Sequence, residues 1–309
     1  MQARGVTDSQ LVQSLWSGYG QLVRMHLQDS AIAPTVIVKQ ITPPDAQTAN
    51  RRGWSGEIAH NRKLRSYQVE TSWYRTWSPR CTPECRVPRC YAARPQATGE
   101  VILLEDLDAA GYHIRTQRLS DRRIHACLRW LANLHALFMH AQPDGLWPTG
   151  TYWHLETRPE EWAAMDESRL KHAAAEIDRK LNESQFQTIV HGDAKVANFC
   201  FAADEDQVAA VDFQYVGGGC GMKDVAYLMG SCLSEPECES REHEWLDVYF
   251  AELRRGLDQS LAASVESEWR ELFPWAWADF HRFLEGWCAT HPKLTGYSKR
   301  MVERVLLDL

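Results

Sequence analysis

The sequence predicts an α+β fold with two lobes, β-rich over residues 1–107 and mainly helical over residues 108–309. Two patterns predict it. In the first hundred residues, β-branched and alternating runs are separated by turn-forming residues around one helical stretch. Beyond residue 115, apolar positions recur close to the 3.6-residue period of a helix. A chain of 309 residues is also long enough for two packed units, since domains run about 100–200 residues.

The elements follow in order. Residues 11–16 lead into Ser17-Gly18-Tyr19-Gly20, and residues 22–27 then alternate, so strand, tight turn and strand are expected. Residues 35–39, Thr-Val-Ile-Val-Lys, suit a buried strand. Residues 40–53 carry Pro43-Pro44 and Gly53 and read as a loop, and a helix is expected from about Gly56 to Trp77. Residues 101–104 form a further strand that ends in Glu105-Asp106-Leu107, where the chain would cross between lobes. In the second lobe, helices are expected over residues 124–139, 160–183 and 238–290, with short β segments at 188–190 and 208–212.

Composition excludes several classes of function. Hydrophobic residues make up 44% and charged residues 24%, which is ordinary for a globular enzyme. The net charge of −7 carries no basic excess for nucleic acid or an anionic membrane surface. No apolar run approaches the ~18 residues of a membrane span, and the first residues lack the apolar core of a secretory signal, so a cytoplasmic location is expected. Nine Cys, an odd number, imply no complete disulfide framework. Cys81, Cys85 and Cys90 lack the tight knuckle and fourth ligand of a structural zinc site, and are expected to be buried thiols.

The chemistry concentrates in His191-Gly-Asp-Ala-Lys-Val-Ala-Asn198 and Val211-Asp212-Phe213. The spacing H-x-D-x-K-x-x-N followed by D-F is the catalytic-loop and metal-loop layout of a bilobal protein-kinase-like fold that uses ATP and Mg2+. Asp193 would accept the proton of an attacking hydroxyl, and Lys195 would offset charge on the transferring group. Asn198 and Asp212 would supply the oxygen ligands that Mg2+ requires. A lone His-Gly-Asp is usually a turn; the joint spacing, each segment entered from an apolar run, is what specifies the site. His191 is expected to be structural.

The first lobe supplies partner pieces. Gly18 and Gly20 fit a shortened phosphate-covering turn, although the third glycine of G-x-G-x-x-G is absent. Lys39, at the end of its β-branched run, stands where a phosphate-gripping lysine belongs. Glu70 is its expected partner, with Glu57 as the alternative. Adenine would meet the backbone at Glu105 and Leu107. Asp224 follows Asp212 by only twelve residues, too few for the activation segment of a protein kinase, and is expected to brace the catalytic loop. That shortness favours a small-molecule alcohol as acceptor.

The motifs His191–Phe201, Asp212-Phe-Gln-Tyr215, Gly221–Tyr227, Leu103–Tyr112 and Ser66–Tyr74 together resemble the aminoglycoside phosphotransferase/choline kinase superfamily, and within it the ecdysteroid-kinase-like group. The resemblance implies Asp193 as base, Asn198 and Asp212 as magnesium ligands, and Lys39 as the phosphate-binding lysine. Choline kinases usually carry D-x-E where this chain has Asp212-Phe-Gln214. For the acceptor, the C-terminal helices offer Glu235, Glu239, Asp279 and Glu285 for an amine, and Trp245, Trp275, Trp277 and Trp287 for a quaternary ammonium or an apolar alcohol. An inactive nucleotide-binding pseudokinase is the alternative reading, and oligomeric state is not legible.

Overall fold

The computed structural model describes residues 4–31, 33–43, 57–96 and 99–309. The chain divides into two units, Met1–Arg115 with Cys200–Gln214, and Thr116–Phe199 with Tyr215–Leu309.

Five antiparallel strands form the sheet of the first unit in the order β1-β2-β3-β5-β4. They are β1 (Gly5–Ser14), β2 (Gly20–Gln28), β3 (Thr35–Ile41), β4 (Cys90–Gln96) and β5 (Gly99–Glu105). Helix α1 (Glu57–Ser72) precedes β4 and continues into a π-helical turn over Trp73–Trp77. The expected strand–turn–strand is present. Gly18 sits at φ +76° in the turn, and Gly20 at φ +137° opens β2, where a Cβ would fall 2.0 Å from the Gln40 carbonyl oxygen. Close pairing of β2 with β3 therefore requires glycine at position 20. Lys39 is not at a strand end, because β3 runs on to Ile41 and is the central strand. The rest of the expected loop, residues 44–53, and the helix start at Gly56 lie outside the described residues.

The second unit begins with α2 (Asp121–Leu137), α3 (Pro159–Ala164), α4 (Arg169–Asn182) and β6 (Thr188–Val190). A hairpin of β7 (Phe199–Phe201) and β8 (Val208–Ala210) follows. The chain closes with β9 (Gly217–Gly219), which pairs with β6, and with α5 (Met222–Cys232), α6 (Glu235–Gly256), α7 (Gln259–Trp287) and α8 (Gly296–Asp308). The hairpin, which the sequence reading assigns to the second lobe, packs with the first unit. The Ala210 N–H donates to the Arg86 carbonyl at 3.0 Å, Ile114 and Phe201 exchange main-chain bonds at 3.0 Å, and Leu107, Cys200 and Ala209 share one apolar cluster.

Two expected helices are each divided. Ser168, extended, caps α4 by accepting the Lys171 N–H at 3.2 Å, which ends the stretch begun by α3. Gly256 closes α6 and an extended Asp258 opens α7. Ser234 and Glu237 form a reciprocal capping box at the start of α6. Trp245, Trp275 and Trp277 are buried between helices, whereas Trp287 is 56% exposed and stacks on Phe283. All nine cysteines are unpaired; only Cys85 of the local trio is buried, with Cys81 and Cys90 half-buried, so the expectation of buried thiols holds for one of three. A hydrogen bond from the Cys81 thiol to the Cys85 sulfur draws the Cys85 pKa down to about 7. Among the described residues no helix is long and apolar enough to cross a membrane.

Candidate active site

In the first unit Lys39 and Glu70 are 6% and 1% exposed, and the Lys39 Nζ donates to Glu70 Oε2 at 2.6 Å. Asp212 Oδ1 stands 3.6 Å from the same Nζ. Burial works against the Lys39 ammonium, but the Glu70 and Asp212 carboxylates outweigh it and hold the pKa above the ordinary lysine value. Glu57, the alternative partner, lies exposed at the first residue of α1.

Asp212 adopts φ +70°, in the left-handed region that aspartate visits more readily than most residues. Its neighbours hold that conformation. Phe213, fully buried, stacks on Trp73 at 4.5 Å and meets Tyr74 edge-on at 5.8 Å. Gln214 donates its amide to Asp212 Oδ1 at 2.5 Å while its carbonyl oxygen accepts from Lys63 Nζ at 2.7 Å. The lysine can only donate, so this orientation of the Gln214 amide follows from its partners. Position 214 stands out in the sequence only as a departure from D-x-E; its role in aiming Asp212 does not. Beyond β5, Arg24 grips Asp106 through two bonds of 2.6 and 3.1 Å and reaches Asp108 at 2.5 Å. Burial opposes the Asp106 charge, yet the Arg24 bonds pull its pKa below the usual carboxylate range. This clamp fixes the Glu105–Leu107 backbone.

In the second unit the loop expected to be catalytic, His191–Asn198, follows β6. Gly192 sits at φ +78°, and a Cβ there would fall 2.0 Å from the Tyr215 carbonyl oxygen, so the His-Gly-Asp turn admits only glycine. Asp193 Oδ2 accepts from Lys195 Nζ at 2.8 Å and from Asn198 Nδ2 at 3.0 Å. Asn198 Nδ2 also donates to the Asp193 carbonyl at 2.8 Å, so its amide oxygen is the atom suited to a cation. His191 is fully buried and its Nδ1 accepts the Asp193 N–H at 3.2 Å, a structural place as expected. Asp224 accepts the His191 N–H at 2.6 Å and the Gly192 N–H at 2.9 Å, which is the brace the sequence suggested. Its own support was not foreseen. His135 Nε2 lies 3.2 Å from Asp224, and His135 Nδ1 lies 2.8 Å from the Tyr249 hydroxyl.

Two phenols also stand near Asp193. The Tyr152 and Tyr227 hydroxyls are 3.1 Å apart, and burial followed by the charge of Asp193 raises both pKa values, so each is a neutral donor. Among the described residues no group of three His, Cys, Asp or Glu side chains is arranged to hold a metal ion.

The ecdysteroid kinase-like family matches this chain over residues 57–144 and 151–261. The chain belongs to that family. The matched span includes Glu70, Asp193, Asn198, Asp212 and Asp224, and begins after Lys39. Solved structures share the fold of this ecdysteroid kinase-like chain at low identity. Amicoumacin kinase hAmiN, in complex with AMP-PNP, Ca2+ and Ami, is 16% identical with a TM-score of 0.54, over 96% of this chain and 86% of its own. An aminoglycoside phosphotransferase from Streptomyces rimosus, in complex with ADP and streptomycin, is 14% identical with a TM-score of 0.51, over 87% and 94%. Choline kinase LicA from Streptococcus pneumoniae is 12% identical with a TM-score of 0.50, over 99% and 95%. These likenesses show a kinase-like α+β fold. No curated protein matches the chain at a significant level.

Proposed function

We propose that this chain is a kinase that uses ATP and Mg2+ to phosphorylate the hydroxyl of a small molecule. The observation that carries this reading is the convergence of the buried Lys39 ammonium on Glu70 at 2.6 Å and Asp212 at 3.6 Å. A lysine oriented this way is suited to phosphate oxygens; a hydrolase built on His191, Asp193 and Asp212 would leave the Lys39–Glu70 pair without a task.

Asp212 and Asn198 offer a carboxylate and an amide oxygen, hard ligands that fit Mg2+. When bound, the ion would neutralise charge on the β- and γ-phosphates. The acceptor O–H gives its proton to Asp193 as its oxygen bonds the γ-phosphorus. The bond from that phosphorus to the bridging oxygen breaks, and ADP leaves with the electron pair. Lys195 offsets charge on the group in transit. The Glu105 N–H already donates to the Arg89 carbonyl and the Leu107 carbonyl accepts from Tyr112, each at 2.8 Å, so adenine would use the Glu105 carbonyl and the Leu107 N–H. Between Asp212 and Asp224 the chain holds β9 and the start of α5, which favours a small acceptor over a protein. Retention of Asp193 and Asn198 argues against a pseudokinase.

The test is incubation with Mg·ATP and a panel of amino alcohols, aminoglycosides, sugars and sterol-like alcohols, read by mass spectrometry. ADP and a phosphorylated acceptor are expected together; failure of every acceptor class would overturn the reading. Gln214→Leu removes both the amide that donates to Asp212 Oδ1 and the oxygen that accepts from Lys63 Nζ. Its Mg2+ requirement should rise by about 10–100-fold, the usual cost of losing a group that orients a metal ligand. An unchanged Mg2+ titration of activity would remove Gln214 from the site.

A further inference from the structure

Lys293 lies in the segment between α7 and α8, in the same unit as the catalytic loop. Its Nζ stands 4.9 Å from the centroid of the Tyr227 ring and 5.6 Å from that of Phe280. Those rings belong to a buried cluster with Trp153, Phe283 and Leu284, on which the half-buried Tyr152 and Leu294 pack. Tyr227 in turn faces Asp193. The ammonium is thus held on an aromatic floor beside the proposed base.

It makes no ion pair among the described residues. The charged or titratable groups around it are Asp193, Lys195, Cys232 and His291, whose Nδ1 accepts the Lys293 main-chain N–H at 3.2 Å. Aromatic rings compensate only weakly for the water a half-buried ammonium gives up. Burial accordingly draws the Lys293 pKa down to about 8, against the opposing pull of Asp193.

The carboxylates that the sequence offered for an amine are engaged elsewhere. Asp279 is fully buried, accepting from Arg282 at 2.7 Å and from the Trp153 indole at 3.1 Å. Glu235 accepts the Tyr297 N–H at 2.8 Å, Glu239 bonds Arg300, and Glu285 lies 3.1 Å from His281. The proposed acceptor side thus keeps an under-compensated cation, while Asp279, Glu235, Glu239 and Glu285 are engaged with other partners.

We propose that Lys293, on the Tyr227 and Phe280 rings beside Asp193, recognises an anionic group of the acceptor, so that the acceptor is an apolar alcohol bearing a carboxylate or similar anion and not an amine. This rests on the kinase reading for its choice of site. An anion would give the ammonium the partner it lacks, and the half-buried Tyr152 and Leu294 would receive an apolar body. Lys293 is a specificity residue; Asp193 and Lys195 remain the groups that meet the reacting atoms.

The test uses three matched probes: 4-(hydroxymethyl)benzoate, benzyl alcohol and 4-(aminomethyl)benzyl alcohol. Binding is followed by intrinsic tryptophan fluorescence, and phosphoryl transfer from Mg·ATP by mass spectrometry. The acid should bind more tightly than the amine by on the order of tenfold, the size of one well-placed charge interaction after desolvation. Lys293→Glu should reverse that order and Lys293→Met should abolish it, with the KM for ATP unchanged. Equal binding of acid and amine, an amine preference, or no binding of the acid at millimolar concentration would each overturn the anion site. If the acid preference and its reversal hold while no probe is phosphorylated, the anion site stands and the kinase reading is what fails.

Discussion

Asp193→Asn should abolish phosphoryl transfer while leaving nucleotide binding intact. The substitution keeps the shape of the side chain and an oxygen that can still accept from Lys195 Nζ and Asn198 Nδ2, now at 2.8 and 3.0 Å from Asp193 Oδ2. The loop therefore has little cause to rearrange. What disappears is the carboxylate proposed to take the hydroxyl proton, and general-base catalysis is worth about 10²–10⁴ in rate. Lys39 and Glu70 belong to the other unit and are untouched. The variant should therefore show the same ATP-dependent rise in thermal midpoint as the parent, since that shift reports binding to the folded state alone. Turnover of the best acceptor and nucleotide-dependent melting, measured on the same preparation, separate the two effects. Turnover equal to the parent would remove Asp193 as base; loss of the nucleotide shift would mean that the substitution disturbed far more than proton transfer.

The site was legible where residues close in sequence are bound by local geometry. Asp193, Lys195 and Asn198 meet within a single loop, because one turn brings a side chain at position 198 back onto the carbonyl and carboxylate of position 193. Lys39 and Glu70 are 31 residues apart. They were legible because a lysine in a buried β-branched run needs an opposite charge, and a glutamate on an aromatic-rich helix can supply it. The groups placed by packing over long separations were not. His135 reaches Asp224 across 89 positions and Tyr249 across 114. Lys293 meets the rings only because α7 and its following segment fold back on Tyr227, and a lone lysine in His291-Pro-Lys-Leu294 gives no local signal of that. The fold divides along the same line. β3 and β5 declare themselves by burial, whereas β1 is exposed along nearly its whole length. Burial imposes no alternation on β1, and its extent is set by pairing with β2. The breaks within the expected helices depend on single capping residues such as Ser168, which a 3.6-residue apolar period does not register.

Asp224→Ala should be the most destabilising single truncation in the second unit. The carboxylate is fully buried and accepts two main-chain N–H groups, from His191 at 2.6 Å on Oδ2 and from Gly192 at 2.9 Å on Oδ1, with His135 Nε2 also 3.2 Å from Oδ2. Removing it leaves buried donors without an acceptor, each costing about 1–3 kcal/mol. The summed loss should be about 3–5 kcal/mol, the range found when one partner of a buried charged network is deleted. For a chain of 309 residues, at about 2.1 cal/mol/K of unfolding entropy per residue, that corresponds to a fall in thermal midpoint of roughly 5–8 °C. The same change frees the turn at Gly192, whose left-handed backbone carries Asp193, so kcat should fall while the KM for ATP stays near the parent value. Asp224→Asn is the discriminating companion. It retains one oxygen acceptor and presents an NH2 to the second N–H, so both stability and kcat should fall to intermediate degrees. A fully inactive Asn variant with the parent's thermal midpoint would instead make Asp224 a participant in the chemistry. An Ala variant as stable as the parent would show that the two main-chain donors find other partners, and that the brace is dispensable.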